Sequence, residues 1–251
     1  VNLTASGASP EAFELLYAGR AEPPSHCTLT SMARPTAASA PPRGVERTIR
    51  ARLLVDADHY DHLIARRVAE AKVSVWIATA NLKTMLVEAP IGSRARARGR
   101  YVSFFETLGE LARAGVDVRV LHAGAPSGPL AREVARLGLG ERVDVKMRRC
   151  PRVHLKVIAI DGRLLYLGSA NLTGAGLGAK GEGRRNFEMG ITTDSEAMLD
   201  VAQERFDRIW RGAECASCKL RGECERPLDT LDGATSRGGS RRTRRSPSPR
   251  P

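Results

Sequence analysis

VHLKVIAIDGRLLYLGSANLTG, residues 153–174, is the stretch on which the interpretation of this chain turns. Its apolar, β-branched run predicts a strand, yet His154 and Lys156 interrupt it two positions apart. Side chains alternate across a strand, so these two share one face while Val153, Leu155 and Val157 share the other and enter the core. Asp161-Gly162 is a strong hairpin signal. RLLYLG then returns as a second strand and ends at Gly168-Ser169, where a turn presents Ser169 and Asn171. Downstream, RRNFEMGITT predicts another strand, with Asn186 and Glu188 two apart on one face.

This pattern gathers an imidazole, an ammonium, a hydroxyl and an amide at one end of a sheet, a set suited to phosphate chemistry. Lysine and amide groups donate to phosphoryl oxygens, and a neutral imidazole can attack phosphorus as a nucleophile. A carboxylate on the second ring nitrogen fixes the tautomer, and Glu188 is the candidate for that role.

Working outward, RTIRARLLVD predicts a short strand and DADHYDHLIARRVAEA a helix with Leu63, Ile64, Val68 and Ala69 at helical spacing. VSVWIATANL reads as a strand buried on both faces. Residues 91–100 read as a basic loop, and YVSFFETLGELARAG as an amphipathic helix closed by Gly115. VDVRVLHAG, PLAREVARLGLG and RVDVKMRR follow as strand, helix and strand; SEAMLDVAQERFDRIWRG is a last helix with Met198, Val201, Ala202, Phe206 and Ile209 on one side. The alternation predicts an α/β fold, a layered mixed β-sheet flanked by helices. Residues 45–212 form that domain. Residues 1–44, rich in Pro, Ala, Ser and Thr, are expected to be a disordered leader; 213–233 are a Cys-rich segment and 234–251 a basic disordered tail.

From His154 to Asn171 the sequence reads H-x-K-x4-D-x6-G-S-x-N. This resembles the HKD signature of the phospholipase D superfamily at every defined position. The flanking strands and helices resemble that family's over residues 45–212, and NFEMGI resembles its later Asn-x-Glu strand. A departure is the long Gly-rich and basic linking segment, residues 172–185. The resemblance implies a phospholipase D-like fold and a phosphodiesterase that needs no metal for catalysis. His154 would form a phosphohistidine. Lys156 and Asn171 would bind phosphate with support from Gly168, Ser169 and Asn186, and Asp161 would stabilise the hairpin and the site without performing chemistry. A second histidine must protonate the leaving oxygen, but His26, His59, His62 and His122 all lack a lysine two residues on. A homodimer with two facing motifs supplies it.

Substrate choice is read from charge. The net charge is +12, and six arginines without an acidic residue lie in the tail from 234 onward. Together with the loops around residues 93–100 and Lys180, Arg184 and Arg185, this favours a nucleic-acid backbone. Phospholipid is the second candidate, because basic surfaces also bind anionic membranes. A nucleic-acid-binding module with an idle site is the third. No stretch reaches the length of a membrane span, and the N-terminus lacks the pattern of a signal peptide, so a cytoplasmic location is expected. Cys215, Cys218 and Cys224 have the spacing C-x2-C-x5-C, and Cys150 is the natural fourth ligand for zinc or an iron–sulfur cluster. Reduced thiols or a redox disulfide are the other readings of these cysteines.

Overall fold

The structure is a computed structural model that describes residues 44, 46–89 and 94–231, all within one compact unit. The expected leader and tail lie outside the described residues. So do residues 45, 90–93 and 232–233.

Seven strands form one mixed sheet: β1 (Ala51–Val55), β2 (Ser74–Thr79), β5 (Asp117–His122), β6 (Val145–Arg149), β7 (Val157–Ile160), β8 (Leu164–Gly168) and β9 (Met189–Thr193). Their order is β1-β9-β8-β7-β2-β5-β6. Strands β2, β5 and β6 run parallel, and β7, β8, β9 and β1 alternate antiparallel beside them. The parallel pairs need crossovers, which the helices α2 (Phe104–Arg113) and α3 (Gly128–Leu137) supply. A π-type helix, His59–Val68, joins β1 to β2, and α4 (Glu196–Trp210) follows β9. Among the described residues no helix is long and apolar enough to cross a membrane.

The period-2 rule sorts the core into two layers. On one face Leu54, Val75, Ile77, Ile158, Ile160 and Tyr166 meet Leu63, Ile64 and Val68 of the first helix, Phe104, Phe105 and Leu108 of α2, and Leu130 of α3. On the other, Ala78 and Val157, with Ala159 and Leu165, lie under Leu199, Phe206 and Trp210 of α4. Each fully buried large side chain contributes about 1.5–3 kcal/mol. Trp76 and Trp210 stack on either side of Phe206 at 5.3 and 5.7 Å, and the Arg119 guanidinium lies 4.5 Å from the Trp76 ring. This stack sets the rotation of α4. Its buried line is therefore Leu199, Phe206 and Trp210, with Met198, Ala202 and Ile209 at the margin and Val201 outside it.

Three local expectations are corrected. Tyr101–Ser103 is not the start of a helix but strand β4, paired with β3 (Leu86–Glu88) in a separate ribbon. Helix α2 begins only at Phe104 because the Ser103 hydroxyl caps it, accepting from the Phe105 N–H at 3.1 Å. The basic loop contains a short helix, α1 (Arg94–Ala97), whose Arg96 pairs with Glu88 at 2.6 Å. Finally, β7 begins at Val157, so His154 and Lys156 lie in the extended lead-in to the strand.

The hairpin at Asp161-Gly162 forms as expected, with both residues at positive φ (54° and 61°). Its aspartate ties β7 to the start of β2: the carboxylate accepts from the N–H groups of Lys72, Val73 and Ser74 at 3.1, 2.7 and 2.9 Å. Burial pushes the Asp161 pKa up, but the bonds from Ser74, Val73 and Lys72 outweigh it and hold the group below the usual carboxylate value. The stabilisation is thus complete above the unfolded pKa of about 3.9 and is lost as pH falls through the folded value. Asp161→Asn is expected to lower stability at neutral pH by about 1 kcal/mol, because the carboxylate stays open to solvent. The deficit should vanish in strong acid, which denaturant titrations at pH 7 and below pH 3 will check.

Candidate active site

The lead-in to β7 is set by a turn and an apolar plug. The Val153 N–H bonds to the Cys150 carbonyl at 2.9 Å, and Val153 is buried in the cluster of Phe206, Trp210 and Leu228. Leu155 and Val157 pack on the same cluster, as the alternation predicts. The intervening side chains consequently project away from it. His154 is exposed, and the Lys156 Nζ lies 3.1 Å from its Nδ1, 3.3 Å from its Nε2 and 3.1 Å from its carbonyl oxygen.

The neighbouring strand ends bring the next residues to the same edge. The Gly168 N–H donates to the Lys156 carbonyl at 3.2 Å, and the Ser169 N–H to that of Met189 at 3.0 Å. The Ser169 hydroxyl donates to Glu188 Oε2, while the Asn186 Nδ2 donates to Glu188 Oε1 at 3.1 Å. Glu188 is buried, and its backbone is clamped by Asp56: its N–H donates to Asp56 Oδ1 at 2.9 Å, and its carbonyl accepts from the Asp56 N–H at 3.0 Å. Gly168 and Gly190 have a steric reason. A Cβ on Gly168 would collide with the Tyr166 hydroxyl, and one on Gly190 would come within 2.5 Å of the Tyr166 ring. Tyr166 is therefore the floor of this part of the site. Burial, helped by the nearby Glu188 carboxylate, pushes its phenol pKa up and keeps it neutral.

Asn171 is oriented from β2. Its Oδ1 accepts from the Asn81 N–H at 3.1 Å, while the single Thr79 hydroxyl proton goes to the nearer Asn81 carbonyl at 2.8 Å; the Asn171 NH2 group remains available as a donor. Thr79 Oγ1 also accepts from the Leu172 N–H at 3.0 Å. The long segment 172–185 folds back on this corner, seated by buried Leu172 and Leu177. It closes through an Asn186 N–H to Ala175 carbonyl bond of 3.0 Å. A Cβ on Gly176 would stand 2.7 Å from the Asn171 carbonyl, so the segment approaches as closely as backbone allows.

His154, Lys156, Gly168, Ser169, Asn171, Asn186 and Glu188 thus belong to one edge of the sheet. Two expectations change. Glu188 makes no hydrogen bond to His154; its two oxygens accept from Ser169 and Asn186. Asp161 lies at the opposite end of β7, seven residues from His154, or on the order of 20 Å along extended chain. Cys150, Cys215, Cys218 and Cys224 line one hollow, yet among the described residues no three His, Cys, Asp or Glu side chains are grouped to hold a single metal ion. Leu220, Pro227 and Leu228 share that hollow. Sequence reasoning missed Asp56, Thr79, Asn81 and Tyr166. Only the φ of +46° at Asp56 betrays its strained role, and that is a property of the folded chain.

A layered mixed sheet flanked by helices thus carries a cluster of His, Lys, Ser, Asn and Glu side chains at its strand ends. Residues 64–210 match the family described as cardiolipin synthase, PLD-like domain, and the chain belongs to the phospholipase D superfamily. It is similar to the solved structure of Nuc, a phospholipase D family member from Salmonella typhimurium, at 17% identity and a TM-score of 0.46, covering 65% of this chain and 95% of that one. NucT from Helicobacter pylori is 16% identical, with a TM-score of 0.43 and coverage of 64% and 95%. Phosphatidylserine synthase from Haemophilus influenzae Rd KW20 is 14% identical, with a TM-score of 0.43 and coverage of 62% and 36%. No curated protein matches the sequence.

The Tyr166 floor makes a testable pair. Gly168→Ala is expected to destabilise the fold by about 1–3 kcal/mol through overpacking. In a Tyr166→Phe background the cost should be smaller, because the nearest obstructing atom is gone. A double-mutant cycle by denaturant unfolding measures this coupling; strictly additive effects would contradict the contact.

Proposed function

We propose that this chain is a phosphodiesterase that hydrolyses nucleic-acid backbones through a phosphohistidine on His154, with the active site completed by a second copy of the chain. The observation that carries the reading is the exposed His154 imidazole with the Lys156 ammonium beside it, at an edge that also presents Asn171 and Asn186. In this reading Lys156, the Asn171 NH2 group and Asn186 bind the phosphoryl oxygens. A His154 nitrogen bonds to phosphorus as the ester oxygen departs. His154 of the second copy gives that oxygen its proton, then takes one from the water that cleaves the P–N bond. Glu188 serves as a brace for Ser169 and Asn186. No metal takes part in these steps.

Two further features support the choice of substrate and assembly. Lys180 and Arg184 are exposed on the segment that borders Asn171 and Asn186, where a polyanionic backbone would pass. Leu53, Val55 and Met189 are 56%, 42% and 58% exposed, and the register Val55↔Met189 puts them on one sheet face beyond the cover of α4. Beside them Phe187 is 97% exposed. An apolar surface next to Glu188 suits a second copy, whose histidine this site requires.

The test is a panel of DNA, RNA and phospholipid diesters with EDTA present. Wild type should cleave nucleic acid, and His154→Ala should lose on the order of 10³-fold or more while still binding it. Cleavage of phospholipid alone would overturn the substrate assignment, and binding without cleavage would favour an idle module. Met189→Asp should convert a dimer to a monomer in sedimentation analysis and remove activity together with it.

A further inference from the structure

We propose that Cys150, Cys215, Cys218 and Cys224 hold a four-cysteine iron–sulfur cluster that staples the C-terminal segment to the lead-in of His154. These residues come from two distant parts of the chain, the end of β6 and the segment after α4, and all four border the same hollow. All four are unpaired thiols.

The segment needs such a staple. Between residues 211 and 231 only Gly212 and Leu228 are buried, and its regular structure is two single turns, Arg221–Glu223 and Leu228–Thr230. Burial that sparse does not offset the entropy of ordering the backbone, which costs about 1–2 kcal/mol per residue. Small, poorly buried segments are ordinarily held by a metal or disulfide.

The spacing favours a cluster over one ion. Zinc draws four thiolates to about 2.3 Å from a single point, and no three of these side chains close on one point. A core of iron and sulfide fills the space between thiolates that stand further apart. The surroundings suit its charge: Arg152 lies at Cys218, and Arg221 lines the rim. Leu220, Pro227 and Leu228 form an apolar wall that limits access of water. The backbone carbonyl of Cys150 also accepts from the Val153 N–H at 2.9 Å, so the cluster would fix the turn from which His154 projects. It has no part in the proposed phosphoryl transfer.

The experiment is iron, zinc and acid-labile sulfide analysis of the full chain, purified without oxygen from iron-replete cells. Iron and acid-labile sulfide in equal amounts, about two or four of each per chain, are expected, with a visible absorbance that bleaches on reduction. Cys218→Ser and Cys224→Ser should each lose at least half the iron, and Cys27→Ser, at the one cysteine of the sequence outside this group, should keep it. One zinc per chain without sulfide, or neither metal, would overturn the proposal, and the wild-type measurement decides even if the variants do not fold.

Discussion

Burial of the sheet on both faces is the constraint on which the rest depends. Ile158 and Ile160 of β7 enter the layer under the first helix, α2 and α3, while Val157 and Ala159 enter the layer under α4. A strand held from both sides cannot slip by one residue without reversing every side chain. That register fixes the direction of the two residues before it, because Val153 and Leu155 are committed to the α4 side. His154 and Lys156 are then left at the open edge. Their placement follows from apolar packing, with no separate device to hold them.

The rest of the edge is held by polar contacts between segments far apart in sequence. Asp56 clamps Glu188 across 132 positions, Asn81 holds Asn171 across 90, and Thr79 holds the adjacent Leu172 across 93. Such bonds are strong where partly buried, since an unpaired member would bear its full desolvation cost. Asp161 does the same at the other end of the sheet, tying the hairpin tip to the start of β2. The two aspartates, one beside the candidate site and one at the far end of β7, both act by accepting backbone N–H groups.

Most of the fold was legible in the sequence because the signals were local. The alternation around His154, the Asp161-Gly162 turn, the β-branched run of β2 and the helical spacing near Leu63 each act within a few residues. The boundaries that failed were set by single contacts. The Ser103 cap shortened α2, and the Trp76–Phe206–Trp210 stack turned α4 about its axis. The candidate site was legible where it lies on consecutive strand ends. Asp56, Thr79, Asn81 and Tyr166 were not, since their roles arise only when β1, β2 and β8 are brought beside β9 and the segment after β8. Glu188 was found, but its partner was misjudged, because spacing says which face a residue occupies and not which neighbour takes its oxygens.

The central claim is that His154 itself becomes covalently attached to the substrate phosphorus. It is tested most directly by quenching the enzyme during turnover of a DNA or RNA substrate and mapping the modified peptide by mass spectrometry. The account predicts a phosphoryl adduct on His154, labile in acid and stable in base, that forms in the presence of EDTA. Turnover with no adduct, or an adduct on another residue, would contradict it.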